Sequence, residues 1–93
     1  MIERHIVTGM ILSTEYLQQI RTLWDSSLME SKSARLISDW CWEYFEKYDH
    51  APGKDIEGIF FQKVESGLNT EIAEDIEVIL HSLDRNQRKE KIN

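Results

Sequence analysis

The sequence predicts an all-α fold, a compact orthogonal bundle of five or six short helices. Three observations predict it. Apolar residues recur at steps of three and four, no alternation of period two persists anywhere, and Gly, Pro, Ser, Asn and Asp gather where helices would have to turn. The 93 residues suffice for one domain with a modest core. A hydrophobic content of 41% with 10% aromatics sets the chain apart from disordered sequences.

The first helix is expected from Ile2, Ile6, Val7, Met10 and Ile11, whose spacing lays them along one face. It loosens at Ser13 and Thr14, and either hydroxyl can cap the next helix. This second helix sets Tyr16, Leu17, Ile20, Leu23 and Trp24 on one side. It ends around "DSSLMES", where short polar side chains compete with the backbone ladder. A third and longer helix from Ser33 to Tyr48 aligns Ile37, Trp40, Cys41, Tyr44, Phe45 and Tyr48 in one stripe, the strongest helical signal in the chain.

Pro52 disfavours helix at Ala51 and Gly53 releases the backbone, so this helix should stop near Asp49. Asp55 is typed to cap a fourth helix that buries Ile56, Ile59, Phe60 and Val64. That helix should end at "ESGL", with Gly67 left-handed and Leu68 folding back on the last turn. Asn69 or Thr70 then caps a fifth helix, with Glu71 and Glu74 near its positive end and Ile72, Ile76, Ile79, Leu80 and Leu83 inward. Residues 1–84 read as one helical protein-interaction domain, and 85–93, "RNQRKEKIN", as a basic tail, frayed helix or start of a linker.

Charge is spread unevenly. The net charge is -6. Residues 1–54 hold eight acids and six bases, residues 55–84 hold eight acids against Lys63 alone, and residues 85–93 hold four bases and Glu90. The acidic third repels a phosphate backbone, so direct nucleic-acid binding is not expected of this domain. No apolar run approaches the ~20 residues of a membrane span. The opening "MIERHIVTGMIL" lacks a small-residue cleavage site, so a cytoplasmic protein without a secretory signal is expected. Cys41, the single cysteine, falls on the apolar stripe of the third helix and reads as a small hydrophobe rather than a nucleophile.

The segment "YDHAPGKDIEGIF" contains a Gly-Lys pair that invites comparison with a phosphate loop. That loop needs GxxxxGK followed by Ser or Thr, between a strand and a helix. Here Tyr48 stands at the first glycine, Asp55 stands at the hydroxyl, and the preceding segment is helical. The stretch is therefore a helix-to-helix corner built on Pro52, Gly53 and Asp55. His5, His50 and His81 lie on three different elements without the i, i+4 spacing of paired metal ligands. No catalytic, cofactor or metal residue is assigned, and no enzymatic activity is expected. Large apolar residues that miss their stripe are more informative. Trp42 lies about 130° from the centre of its stripe, and Phe61 and Val78 are similarly displaced. They are the candidate partner-contact residues, with packing of the helices on two sides as the alternative.

The order of these features resembles the N-terminal domain of DnaB-like replicative DNA helicases. "ERHIVTGMIL" is similar to that family's opening helix with its "LGxxL"-type core, Gly9 standing at the glycine. "STEYLQQI" is similar to the short second helix, "SARLISDWCWEYFEKY" to the long third one, and "YDHAPGKDIEGIF" to the glycine-containing turn ending in Asp, here Asp55. Ala34, Arg35 and Ser38 stand where the family has a His-Arg pair and an aromatic, which points to a divergent member from a phage or mobile element. The resemblance covers residues 3–84. It implies a non-catalytic module that forms the helicase collar by self-association and receives primase or a helicase loader. The ATP-driven motor would lie in a separate domain, and this chain would be an excised domain or a short product retaining only the collar. Two alternatives stand beside it: the helicase-binding domain of a primase or loader, and an acidic helical regulator.

Overall fold

Local hydrogen bonds account for where each helix begins and ends. Ser13 Oγ accepts from the Tyr16 amide at 3.1 Å and Ser31 Oγ from the Ala34 amide at 3.3 Å, so two serines satisfy donors that a helix start leaves free. Asn69 Oδ1 does the same for Glu71 at 2.8 Å and Ile72 at 3.3 Å. The structure, a computed structural model, describes residues 2–25, 27 and 29–92, and side chains for 5–25, 27 and 29–83. Among the described residues the elements are α1 (Ile2–Leu12), α2 (Thr14–Ile20), a 3-10 turn (Arg21–Leu23), α3 (Lys32–Tyr48), α4 (Asp55–Glu65) and α5 (Thr70–Ile92), with no strand.

The two predicted corners form as their residues dictate. Asp49 ends α3 in the left-handed region at φ 63°, its amide donating to Phe45 at 2.7 Å. Gly67, at φ 110°, ends α4: the Leu68 amide donates to the Lys63 carbonyl and the Gly67 amide to Val64, both at 3.1 Å. These paired bonds make a Schellman turn, with Leu68 folded onto the core. Asp55, by contrast, is not the cap of α4. Lys54 occupies that position without a side-chain bond. The amides of Asp55, Ile56 and Glu57 donate instead to the carbonyls of Pro52, Gly53 and Lys54 at 3.0–3.2 Å, so a tight backbone turn starts the helix and frees the Asp55 carboxylate.

Helix α3 lies at the centre, against α1, α4 and α5. Its Ile37, Trp40, Cys41 and Phe45 meet Val7, Met10 and Ile11 of α1, Leu17 of α2, Ile56 and Phe60 of α4, and Ile76, Leu80 and Leu83 of α5 in one core. The radius of gyration, 12.8 Å, is that of a well-packed chain of this length. Polar bonds fix the arrangement from outside. Ser33 Oγ donates to Asp75 at 3.4 Å, tying α3 to α5. Arg35 Nη2 donates to the Met29 carbonyl at 2.7 Å, and the Met29 side chain is fully buried, so the 24–31 connection is plugged into the core. The 49–54 corner is likewise pinned: the Gly53 amide donates to Ile11 at 2.7 Å and the Ala51 amide to Thr14 Oγ1 at 2.9 Å, with Ala51 and Pro52 buried.

Several expected core residues lie elsewhere. Leu23 is 78% exposed because α2 ends at Ile20 and the tighter turn after it breaks the α-helical register. Val64 is exposed because it sits in the last turn of α4, beyond the face covered at Ile56 and Phe60. Tyr48 is exposed at the end of α3. Helix α5 continues to Ile92, through the stretch expected as a basic tail, frayed helix or start of a linker. The side chains of Ile2 and of residues 84–93, and residues 26 and 28 of the connection, lie outside the described residues.

Candidate functional site

Where α4 leaves the pinned corner, it diverges from the end of α3 and opens a groove of about 680 Å³. Its walls combine the stripe of α3 with residues of α4 both on and off its stripe. Helix α3 contributes Tyr44 and Tyr48 and α4 contributes Ile59 and Phe61, with Gly58 placing no side chain between them. A Cβ at Gly58 would meet nothing within 4 Å, so the groove stays open there. Phe61 is 65% exposed. The rings of Tyr44 and Tyr48 stand 4.5 Å apart, and His50 meets Tyr44 edge-on at 5.3 Å, so three aromatic groups cluster at one end.

Charge of both signs borders these rings. Between residues 5 and 83 the bases are Arg21, Lys32, Arg35, Lys47, Lys54 and Lys63, and three of the six, the last three, line this groove beside Glu43, Asp55 and Glu57. The Tyr44 hydroxyl donates to Asp55 Oδ2 at 2.5 Å. That bond to the carboxylate, with some burial and the negative charge beside it, pushes the phenol up from 10.0 to about 12. Tyr44 is thus a donor locked to its neighbour, and its deprotonation is postponed to higher pH. Cys41 is fully buried, and burial pushes its thiol up to about 12. Such an arrangement is suited to recognition, with apolar rings for an anchor and three ammonium and three carboxylate groups around them.

A second crease of about 270 Å³ runs between α4 and α5, lined by Glu57, Phe60, Phe61, Glu77, Leu80 and His81. Phe61 therefore forms the ridge between the two depressions. Among the described residues no group of three or more His, Cys, Asp or Glu is brought together to hold a metal ion. The Gly53 amide, which a phosphate loop would direct at its ligand, is bonded to Ile11.

The three predicted contact residues occupy separate surroundings. Trp42 is half-buried inside the molecule, 5.6 Å from the ring of Trp24 and 6.1 Å from Phe45, so α3 is packed on that side too. Its Nε1 is buried with no hydrogen-bond partner. Phe61 stands on the ridge, and Val78, 55% exposed, lies on the outer face of α5. Pro52 and Gly53 form the pinned corner, Asp55 joins α4 to Tyr44, and Gly67 closes α4. Tyr44, Tyr48, Lys47 and Lys63 do not stand out in the sequence as groove residues, because both tyrosines share the core stripe. Their hydroxyls, which need water or a partner, are the available signal. Among the described residues no helix is long and apolar enough to cross a membrane. Compared with protein families, curated proteins and solved structures, the chain matches none.

Proposed function

We propose that this chain is a non-catalytic, cytoplasmic assembly and docking module of the kind that forms the N-terminal domain of DnaB-like replicative helicases. The groove between α3 and α4 is the observation that carries the reading. Its exposed Phe61 and Tyr48, bordered by Lys47, Lys54 and Lys63, fit a helical segment of primase or a helicase loader that inserts an apolar side chain between acidic flanks. The helix order, with a short α2 and a long α3 ending at the 49–55 corner, is in keeping with such a domain.

The test is a pull-down of primase and loader by the chain, alongside a measurement of its ATP hydrolysis. Capture of primase or loader, lost in Phe61→Ala and in Tyr48→Ala, with no ATP turnover, is the expected result. Robust turnover by the chain alone, or capture that survives both substitutions, would reject the reading.

A further inference from the structure

We propose that the crease between α4 and α5 is a docking site for a cationic amphipathic helix of a partner protein, which seats an apolar side chain against Phe60, Phe61 and Leu80 and sets Lys or Arg against Glu57 and Glu77. The proposal goes beyond the helicase reading. The crease lies across the Phe61 ridge from the α3–α4 groove and calls for a partner of different charge.

The floor and the ridge arise because the core covers only part of the apolar surface of α4. Ile56 and Phe60, four residues apart, are buried, whereas Phe61 and Val64, three apart on the adjoining side, are 65% and 40% exposed. A second apolar strip is thus left uncovered. Helix α5 likewise buries Ile76 and Leu80 while exposing Glu77 and His81. Phe60 and Leu80 form the floor between the two helices. At about 270 Å³ the crease falls below the roughly 300–1,000 Å³ of sites that enclose a small molecule, so it suits a side chain carried in on a longer segment. Among the described residues there is no strand edge to receive an extended segment, which leaves a helix laid in the groove as the fitting mode.

Charge decides the occupant. Glu57 borders the crease from α4 and Glu77 from α5. Each stands four residues before an aromatic group of its own helix, Phe61 or His81, so each wall carries a carboxylate and a ring one turn apart. Among the described residues the one ion pair at the crease is Glu77 with His81, 3.7 Å apart with both side chains exposed, and no Lys or Arg lines it. Residues 64–83 contain no lysine or arginine, and Lys63 borders the α3–α4 groove instead. The two depressions therefore share Phe61 but differ in charge: three ammonium and three carboxylate groups border the groove, and two carboxylates without an ammonium border the crease. An acidic segment is repelled from the crease, and an uncharged one leaves both carboxylates without a counterion. A cationic amphipathic helix supplies an apolar stripe for Phe61 and Leu80 and bases beside it for Glu57 and Glu77.

Three synthetic peptides test this against the isotope-labelled full chain, with amide resonances and fluorescence anisotropy as the readouts. One is a helix former with leucines at steps of three and four among lysines, one has the same composition in scrambled order, and one replaces every lysine by glutamate. The ordered lysine peptide should bind, shift the amides of Glu57, Phe61, Glu77 and His81, and weaken as salt is raised. The scrambled peptide should bind at least about tenfold more weakly, and the glutamate peptide should leave those amides unmoved. Glu77→Lys, an exposed substitution that should leave the circular dichroism spectrum unchanged, should weaken the lysine peptide by about tenfold, and Glu77→Gln by less. No binding of the ordered lysine peptide, equal affinity for its scrambled form, shifts confined to Tyr44 and Tyr48, or an affinity unchanged by Glu77→Lys would overturn the proposal. Phe61 belongs to both depressions, so other residues tell them apart. Glu77→Lys should leave capture of primase or loader by the groove intact, and Tyr48→Ala should leave binding of the lysine peptide intact.

Discussion

Gly9 and Gly58 both interrupt the interior of a helix, where glycine costs roughly 0.5–1 kcal/mol relative to alanine, yet they stand in opposite surroundings. A Cβ on Gly9 would come within 2.8 Å of the Tyr16 ring, because α2 folds back across α1 and lays that ring on the bare backbone. A Cβ on Gly58 would meet nothing. The α1–α2 side is closed: its glycine is filled by a ring, its junction is bonded to the 49–54 corner, and Val7, Met10, Ile11 and Leu17 are fully buried. The α3–α4 side is open, with Phe61 and Tyr48 exposed and no ring laid over Gly58. The same residue type at the same kind of position therefore serves packing on one side and leaves a depression on the other.

Substitutions can break this contrast in graded steps. The largest effect belongs to the shared core: Trp40→Ala should destabilise the fold by about 3–5 kcal/mol in chemical denaturation. Trp42→Ala should cost roughly 1–3 kcal/mol, since Trp42 packs on Trp24 and Phe45 but is only half-buried. A cost near zero would show that this side of α3 is not packed in solution. Gly9→Ala should lower stability by about 1 kcal/mol, the clash with Tyr16 outweighing the better helix propensity of alanine.

Gly58→Ala should have the opposite sign. It should raise stability by roughly 0.5–1 kcal/mol, as expected for an exposed helical site with room for a methyl group, while weakening any docking into the groove it narrows. Equal signs for the two glycines would erase the contrast. The smallest effect is electrostatic. With its phenol raised from 10.0 to about 12, Tyr44 favours the fold while protonated. That contribution is complete below about pH 10 and is lost as pH rises through about 12. An ultraviolet titration should show a late phenolate transition that Tyr44→Phe removes.

Helix positions were legible because they rest on local chemistry. Ser13, Asn69, Gly67 and the Pro52–Gly53 pair act on the backbone within a few residues, and spacing alone exposed the stripes of α3 and α5. The groove was not legible, because Tyr44 and Tyr48 continue the same stripe that is buried at Ile37, Trp40 and Cys41. What distinguishes them is the divergence of α4 from α3, which the 49–54 corner sets through bonds to Ile11 and Thr14, distant in sequence. Asp55 departs from its expected role for a related reason: a run of backbone bonds took over the capping its carboxylate was expected to supply.

By itself, the sequence determined that the chain is helical, where the turns after α3 and α4 fall, and which face of most helices is apolar. Periodicity and capping are properties of a few neighbouring residues and need no partner to be read. Only the tertiary structure decided which parts of those faces are covered. It buried Met29 from a loop and packed Trp42 from outside its stripe, while leaving Leu23, Tyr48 and Val64 in solvent. An apolar face is removed from water only where another element reaches it, and that reach depends on where distant helices stop and how their corners are tied.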